Sequence, residues 1–308
     1  MSEPALPIDA LRDEVLAAVD EAPLVLAAPT GSGKSTQVPR WLRGRVVVVE
    51  PRRVACRSLA QRVAELEGAR LGGPVGYRVR DDVRASGETR VLFVTPGVAL
   101  RDPSALERAD AVVLDEFHER RLDVDLLFGL LAARRRGLVV MSATLDGERV
   151  AKHLGGRFLE GEGRLHPVDV CYLGRGAQLP TPKDLVPRVS AAVDRAGDDA
   201  GDVLVFLPGR AEIAACADAL RRRAGLRVLE LHGGLSLKDQ SRVFAPTDRR
   251  KVVLATNVAE TSVTIPGIGV VIDAGLVRRT RYHRGRGFLT LSPVALDSAE
   301  QRAGRAGR

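Results

Sequence analysis

The sequence contains no apolar run approaching the roughly 18 residues of a membrane helix, so no segment of it reads as a membrane span. It opens Met1-Ser2-Glu3-Pro4, without the basic stretch and apolar core of a secretory leader. It has only three cysteines, Cys56, Cys171 and Cys216, far apart and in no metal-ligand spacing. That leaves no readable disulfide framework or zinc site, and a cytoplasmic protein with reduced thiols is the expectation. Short-period repeats and low-complexity tracts are missing as well.

What remains is a soluble globular composition: 308 residues, 45% hydrophobic and 28% charged. That length holds two domains of roughly 150 residues, each with its own core. The net charge of +8 is unevenly placed. Between Leu276 and Arg308 there are eight arginines and only two acidic residues, Asp297 and Glu300; the rest of the chain is nearly neutral. A local basic cluster of this kind points toward a polyanionic partner.

Short β-branched runs alternate with amphipathic helical stretches. Strands are expected at Leu24–Ala28, Val46–Glu50, Arg90–Thr95, Ala111–Asp115 and Leu138–Ser142, and helices at Asp9–Val19, Arg53–Glu67 and Asp123–Arg134. The runs are apolar on both faces, as in a covered parallel sheet. The alternation restarts with strands near Val203–Leu207, Val228–Leu231, Lys251–Ala255 and Val270–Asp273, and helices near Ala211–Arg223 and Leu237–Phe244. Two βα series predict two α/β domains, with a boundary in the glycine-rich stretch Gly155–Pro167. A second soft stretch, Gly174–Pro182, falls inside the second domain. Residues 276–291 read as an arginine-rich hairpin.

One segment carries chemistry outright. Ala28-Pro29-Thr30-Gly31-Ser32-Gly33-Lys34-Ser35 follows an expected strand and opens an expected helix, the context a P-loop requires. Thr30, Gly31, Ser32 and Gly33 supply inward-facing backbone N–H groups, and Thr36 continues into the helix whose N-terminus favours anions. Lys34 suits the β/γ-phosphates of ATP and the Ser35 hydroxyl suits Mg²⁺. Ala28 stands where the strict pattern has glycine. Asp115-Glu116-Phe117-His118 closes another apolar strand. Asp115 is placed to hold Mg²⁺ through water, and Glu116 beside it is placed near the same ion to orient and deprotonate the attacking water. His118 follows directly and is a candidate for coupling nucleotide state to a neighbouring loop.

Read in order, the chain resembles the superfamily 2 DExH-box helicases of the DEAH/RHA group, and within it the bacterial HrpB type. The matching segments are Ala28–Ser35, Pro51–Ala55, Thr95–Gly97, Asp115–Arg120, Ser142–Thr144, Phe206–Gly209, Ala255–Gly267 and Gln301–Arg308. The resemblance implies two tandem RecA-like P-loop domains, residues 1–165 binding ATP and 166–308 forming the helicase C-terminal domain. It also implies ATP between them and a single strand across both, RNA ahead of DNA. Carried over, Gln301, Arg305 and Arg308 would face the γ-phosphate, and Arg302 would form a structural ion pair instead. Arg62 and Phe244 would sandwich the base, or Phe244 would simply pack in the core. Arg52, Arg53, Thr95, Gly209 and Thr256 would meet phosphate and sugar without reading sequence. Ser142 and Thr144 would link the ATP site to domain movement or cap a helix; Thr261 would sense the second domain.

Members of this family continue into further domains, so the chain reads as truncated. The implied activity is an ATP-dependent helicase core. The alternatives are a nucleotide- and nucleic-acid-binding module that does not unwind, a DNA helicase, and an NTPase acting on protein assemblies. No residue is identified that reads a 2′-hydroxyl, and protein partners are not indicated.

Overall fold

Four consecutive valines show how the fold is built. Val46 and Val48 lie in one apolar layer, and Val47 and Val49 lie in another. Burying a side chain of this size is worth about 1.5–3 kcal/mol, and a strand with no polar face can only sit between two layers. The same alternation places Leu24 and Leu26 opposite Val25, and Val113 opposite Val112 and Leu114.

The computed structural model describes residues 5–134, 136–143, 147–161, 167–173, 178–181, 183–197, 200–260, 265–283 and 286–306. The chain divides into two compact units, Met1–Arg164 and Leu165–Arg308. Both are RecA-like P-loop NTPase folds: mostly parallel sheets covered by helices.

The first unit has eight strands: β1 (Leu24–Ala27), β2 (Val46–Val49), β3 (Val75–Val79), β4 (Asp82–Arg84), β5 (Val91–Val94), β6 (Ala111–Leu114), β7 (Leu138–Ser142) and β8 (Arg157–Glu160). Their order is β4-β3-β5-β2-β6-β7-β1-β8, and every pairing is parallel except β3 with β4. This order decides where the motifs meet. At the carboxyl ends, Thr95 follows β5, Arg52 follows β2, Asp115 follows β6, Ser142 ends β7, and the P-loop follows β1. Open α/β sheets bind ligands at this edge.

The second unit has β9 (Asp202–Phe206), β10 (Leu226–Leu231), β11 (Arg250–Ala255) and β12 (Ile268–Asp273), all parallel in the order β10-β11-β9-β12. Val203, Val205, Val252 and Leu254 pack with Val189 of helix Leu185–Arg195 and Ile213 of helix Arg210–Leu220. Then comes a hairpin, β13 (Leu276–His283) and β14 (Arg286–Pro293), and a closing helix, Leu296–Ala303.

Several expectations need correction. The glycine-rich stretch Gly155–Pro167 is not wholly a linker: Arg157–Glu160 pairs with β1 as the sheet's edge strand. Four half-exposed residues between glycines give too short an alternation to read. The hairpin β3–β4 also goes unread: β3 is buried, but Gly76 and Arg78 interrupt its apolar run, and β4 has only three residues. The leading helix is preceded by a 3-10 turn, Pro7–Leu11, before the α-helix Arg12–Glu21. Leu237–Phe244 is likewise split, into a helix to Ser241 and a 3-10 turn Arg242–Phe244. Of the soft stretch Gly174–Pro182, only 178–181 falls within the described residues.

Candidate nucleotide site and nucleic-acid surface

After β1 the chain curls through Gly31 (φ 88°) and Gly33 (φ 96°), left-handed positions that suit glycine, and enters helix Lys34–Trp41. Lys34 is 3% exposed and Ser32 2%. The Ser32 hydroxyl is buried without a hydrogen-bond partner. The Thr36 hydroxyl donates to the Gly33 carbonyl at 3.0 Å, closing the first turn. Phosphate-facing groups are thus presented by backbone geometry and a helix start.

Sequence reading missed what braces this loop. The N–H of Ile8 donates to the Ser32 carbonyl at 3.1 Å. A methyl group at Gly33 would lie 2.7 Å from Leu6 Cδ1. The 3-10 turn Pro7–Leu11 therefore presses on the P-loop from outside. A short apolar Leu-Pro-Ile ahead of a helix was the available signal.

Asp115 is fully buried and Glu116 nearly so. One Asp115 oxygen accepts the Glu116 N–H at 2.9 Å, while Oδ2 has no hydrogen-bond partner. Burial, reinforced by the neighbouring Glu116 charge, pushes the Asp115 carboxyl up to about 6, against the pull of Lys34 and the Ser35 hydroxyl. The group is thus poorly compensated in the nucleotide-free chain. An unpartnered carboxylate oxygen beside a serine hydroxyl is an all-oxygen donor set, which fits a hard cation such as Mg²⁺. Among the described residues no cluster of three His, Cys, Asp or Glu could hold a metal alone.

Glu116 adopts left-handed backbone (φ 52°), which costs about 1–2 kcal/mol in a residue with a Cβ. His118 explains part of how it is held. Its Nδ1 accepts the Ala143 N–H at 3.3 Å, and burial lowers its pKa, so it is neutral with the proton on Nε2. That nitrogen lies 3.3 Å from Glu116 Oε2. His118 therefore ties the acidic turn to the end of β7, where Ser142 is fully buried, and lies beside Glu116. Thr144 lies outside the described residues.

At the other end of the row, Thr95 is 9% exposed at the start of helix Pro96–Arg101, and Arg53 is exposed at the start of helix Arg53–Leu66. Arg52 differs from its neighbour. Its guanidinium is paired with Glu119, with Nη2 at 3.0 Å and Nε at 3.1 Å, and is largely buried. Arg62 sits on the exposed face of the same helix, 3.6 Å from Glu65.

In the second unit Gly209 caps helix Arg210–Leu220 in extended backbone. A methyl group there would lie 2.9 Å from Arg278 Nε and 2.9 Å from Glu212 Oε2, so these two side chains pack directly on the Gly209 backbone. Arg278 also reaches Glu212 at 2.6 Å. Thr256 follows β11 and is half-buried, as is Phe244; Thr261 lies outside the described residues.

Gln301, Arg302 and Arg305 share one helix end. Arg302 is 2% exposed: its Nε meets Glu260 at 2.9 Å, its Nη1 meets Asp273 at 2.8 Å, and its guanidinium lies 4.9 Å from the Phe206 ring centroid. This is the expected structural ion pair. Arg305 is 3% exposed and donates twice to the Glu260 carbonyl, at 2.9 and 2.5 Å. Glu260 thus organises both arginines, which the sequence did not disclose. Gln301 is half-buried, and Arg308 lies outside the described residues.

Comparison with known proteins accounts for this layout. The DEAD/DEAH box helicase family matches residues 11–153, and the helicase conserved C-terminal domain matches residues 188–308. The chain is 42% identical over 329 residues to the ATP-dependent RNA helicase HrpB of Escherichia coli (strain K12), covering 99% of this chain and 40% of that protein. It is 38% identical to the ATP-dependent RNA helicase DHX33 of Homo sapiens, covering 99% and 48% respectively. The crystal structure of Escherichia coli DEAH/RHA helicase HrpB superposes with a TM-score of 0.84 at 40% identity, covering 98% of this chain and 41% of that one. The chain therefore spans less than half the length of these relatives. With both family matches in tandem and the P-loop, the buried acidic pair and the paired arginines in place, the chain belongs to the DEAD/DEAH box helicases.

Proposed function

We propose that the chain is an ATP-hydrolysing helicase core that acts on single-stranded nucleic acid, RNA ahead of DNA. The observation that carries this reading is the buried, under-compensated Asp115 beside Lys34 and Ser35, with His118 beside Glu116. Such a site is completed by a cation and a polyphosphate. Ser35 and Asp115 would hold Mg²⁺, with Glu116 close by; the ion would supply charge neutralisation at the β/γ-phosphates. Lys34 and the N–H groups of Thr30–Ser35 bind the phosphates. Glu116 orients a water and takes its proton. Gln301 and Arg305, with Arg308, are assigned to the γ-phosphate, and Arg62 and Phe244 to the base. The action takes place in the cytoplasm.

For the strand, we assign Arg53, Thr95, Gly209 and Thr256 to backbone contacts, and Arg52 through its exchange with Glu119. RNA rests on the names of relatives such as DHX33 and HrpB. The hairpin adds a surface: Arg281 lies opposite Phe288 and Arg279 opposite Thr290, so these four share one face, and both arginines and Phe288 are exposed. Charge plus an exposed ring suits sequence-independent binding.

The test is ATP hydrolysis with and without single-stranded RNA or DNA, using Lys34→Ala and Glu116→Gln as controls. Stimulation abolished by both changes is expected. Hydrolysis indifferent to RNA and DNA would sink the nucleic-acid reading. A strand-displacement assay then separates an unwinding core from a module that only binds and hydrolyses.

A further inference from the structure

The row of strand ends puts the acidic pair between two neighbours: the P-loop side and the Arg52–Arg53 loop. What joins them is the 3-10 turn Phe117–Glu119. It is flanked by two left-handed residues, Glu116 (φ 52°) and Arg120 (φ 47°), a conformation that side chains with a Cβ resist. Such a segment keeps its shape only through outside contacts. Phe117 is 1% exposed in the core, His118 is tied to Ala143, and Glu119 Oε1 receives Arg52 Nη2 at 3.0 Å and Nε at 3.1 Å. That ion pair is 17% and 13% exposed. The Glu119 N–H donates to the Glu116 carbonyl at 3.0 Å, so the pair acts one turn from Glu116. The Arg52 N–H donates to Glu50 Oε1 at 3.1 Å, which fixes the other end.

We propose that Glu119 is a positioning residue that couples strand occupancy of the Arg52–Arg53 loop to the placement of Glu116. The inference rests on the nucleotide- and strand-binding reading given above. A strand phosphate competes with Glu119 for the Arg52 guanidinium, since both are bidentate-capable anions. When Arg52 turns to phosphate, the turn loses one of its three anchors, and the residue at its start is Glu116. Coupling between two ligands requires one element that both bias, and this turn touches both sides.

The experiment measures the affinity of labelled single-stranded RNA by anisotropy, with and without a non-hydrolysable ATP analogue, for the wild type and Glu119→Gln. In the wild type the two affinities should differ by about fivefold or more. In Glu119→Gln the ratio should fall to about one, while nucleotide-free RNA affinity should stay the same or tighten, because Arg52 no longer has to leave Glu119 to reach a phosphate. RNA stimulation of hydrolysis should fall with the ratio, because Glu119→Gln has lost the Arg52 anchor already without RNA and strand binding can no longer change it. Glu119→Asp keeps the charge one methylene shorter and should recover part of the ratio. If Glu119→Gln fails to melt cooperatively, Glu119→Asp carries the test, with a wild-type ratio overturning the proposal. A ratio retained in Glu119→Gln, or basal and stimulated rates falling together, would also overturn it. A wild type that binds RNA with no ratio overturns the coupling alone. A wild type that binds neither RNA nor DNA overturns the underlying reading.

Discussion

The two units bury charge in opposite ways. In the second, Arg302 and Arg305 are almost fully buried, and both are answered by Glu260, with Asp273 and Phe206 completing the set around Arg302. In the first, Asp115 is equally buried, yet one oxygen has no partner and its carboxyl is pushed up to about 6. A satisfied buried charge holds structure; an unsatisfied one keeps a place for something absent. Burial alone does not tell a scaffold from a site. The state of its partners does.

Breaking the satisfied set should have the largest effect. Arg302→Ala leaves Glu260 and Asp273 without their common cation, which typically costs about 3–5 kcal/mol. Urea unfolding should show that loss in the transition of the second unit, with the first unit's transition unmoved. Equal destabilisation of both would mean the set does more than hold its own unit. In the first unit the corresponding change is functional. Glu116→Gln should lower ATP turnover by about a hundredfold or more, on the order of the loss of one key group in a preorganised site. Its melting temperature should stay close to wild type, and a steady-state hydrolysis assay beside a thermal melt checks both.

Removing the unsatisfied charge sharpens the contrast, because it should stabilise. Burial and the neighbouring Glu116 charge hold the Asp115 carboxyl at about 6 in the folded chain, above the ordinary aspartate value of about 4. The folded state therefore holds this proton more tightly than the unfolded state. The group's contribution is fully present below about pH 4 and is lost as pH rises through about 6, a change of about 3 kcal/mol. Nucleotide-free Asp115→Asn should melt above wild type at neutral pH, with the gap closing near pH 4, and should be inactive. A variant that melts lower at neutral pH would contradict the picture of an uncompensated charge.

This contrast also marks how far the sequence could be read. The five inner strands of the first sheet were legible because apolar runs such as Val46–Val49 admit only a doubly covered strand. The P-loop, Asp115 and Glu116 were legible because local spacing dictates their chemistry. Glu260, Glu119 and Ile8 were not, because each acts through a partner distant in sequence: Arg302, Arg52 and the Ser32 carbonyl. The edge strand Arg157–Glu160 was lost because an edge carries little apolar alternation. Arg52 looked like its neighbour Arg53, and only the fold shows that one is paired and the other exposed.

The smallest effect expected separates paired from unpaired arginines on one hairpin. Arg278 is held by Glu212, whereas Arg279 and Arg281 make no ion pair among the described residues and point to the other face of the ribbon. If Arg281 meets a strand phosphate, Arg281→Ala should weaken RNA binding uniformly across sequences. It should also lower the slope of log affinity against log salt by about 0.7, the counterion released per single-strand phosphate. Phe288→Ala should weaken binding by about 1–3 kcal/mol without changing that slope, since stacking releases no counterion. Arg278→Ala should leave the slope intact, because its charge is already answered by Glu212. A salt titration on the three variants decides the matter: a slope that drops for Arg278 and not for Arg281 would reverse the assignment of the hairpin's two faces.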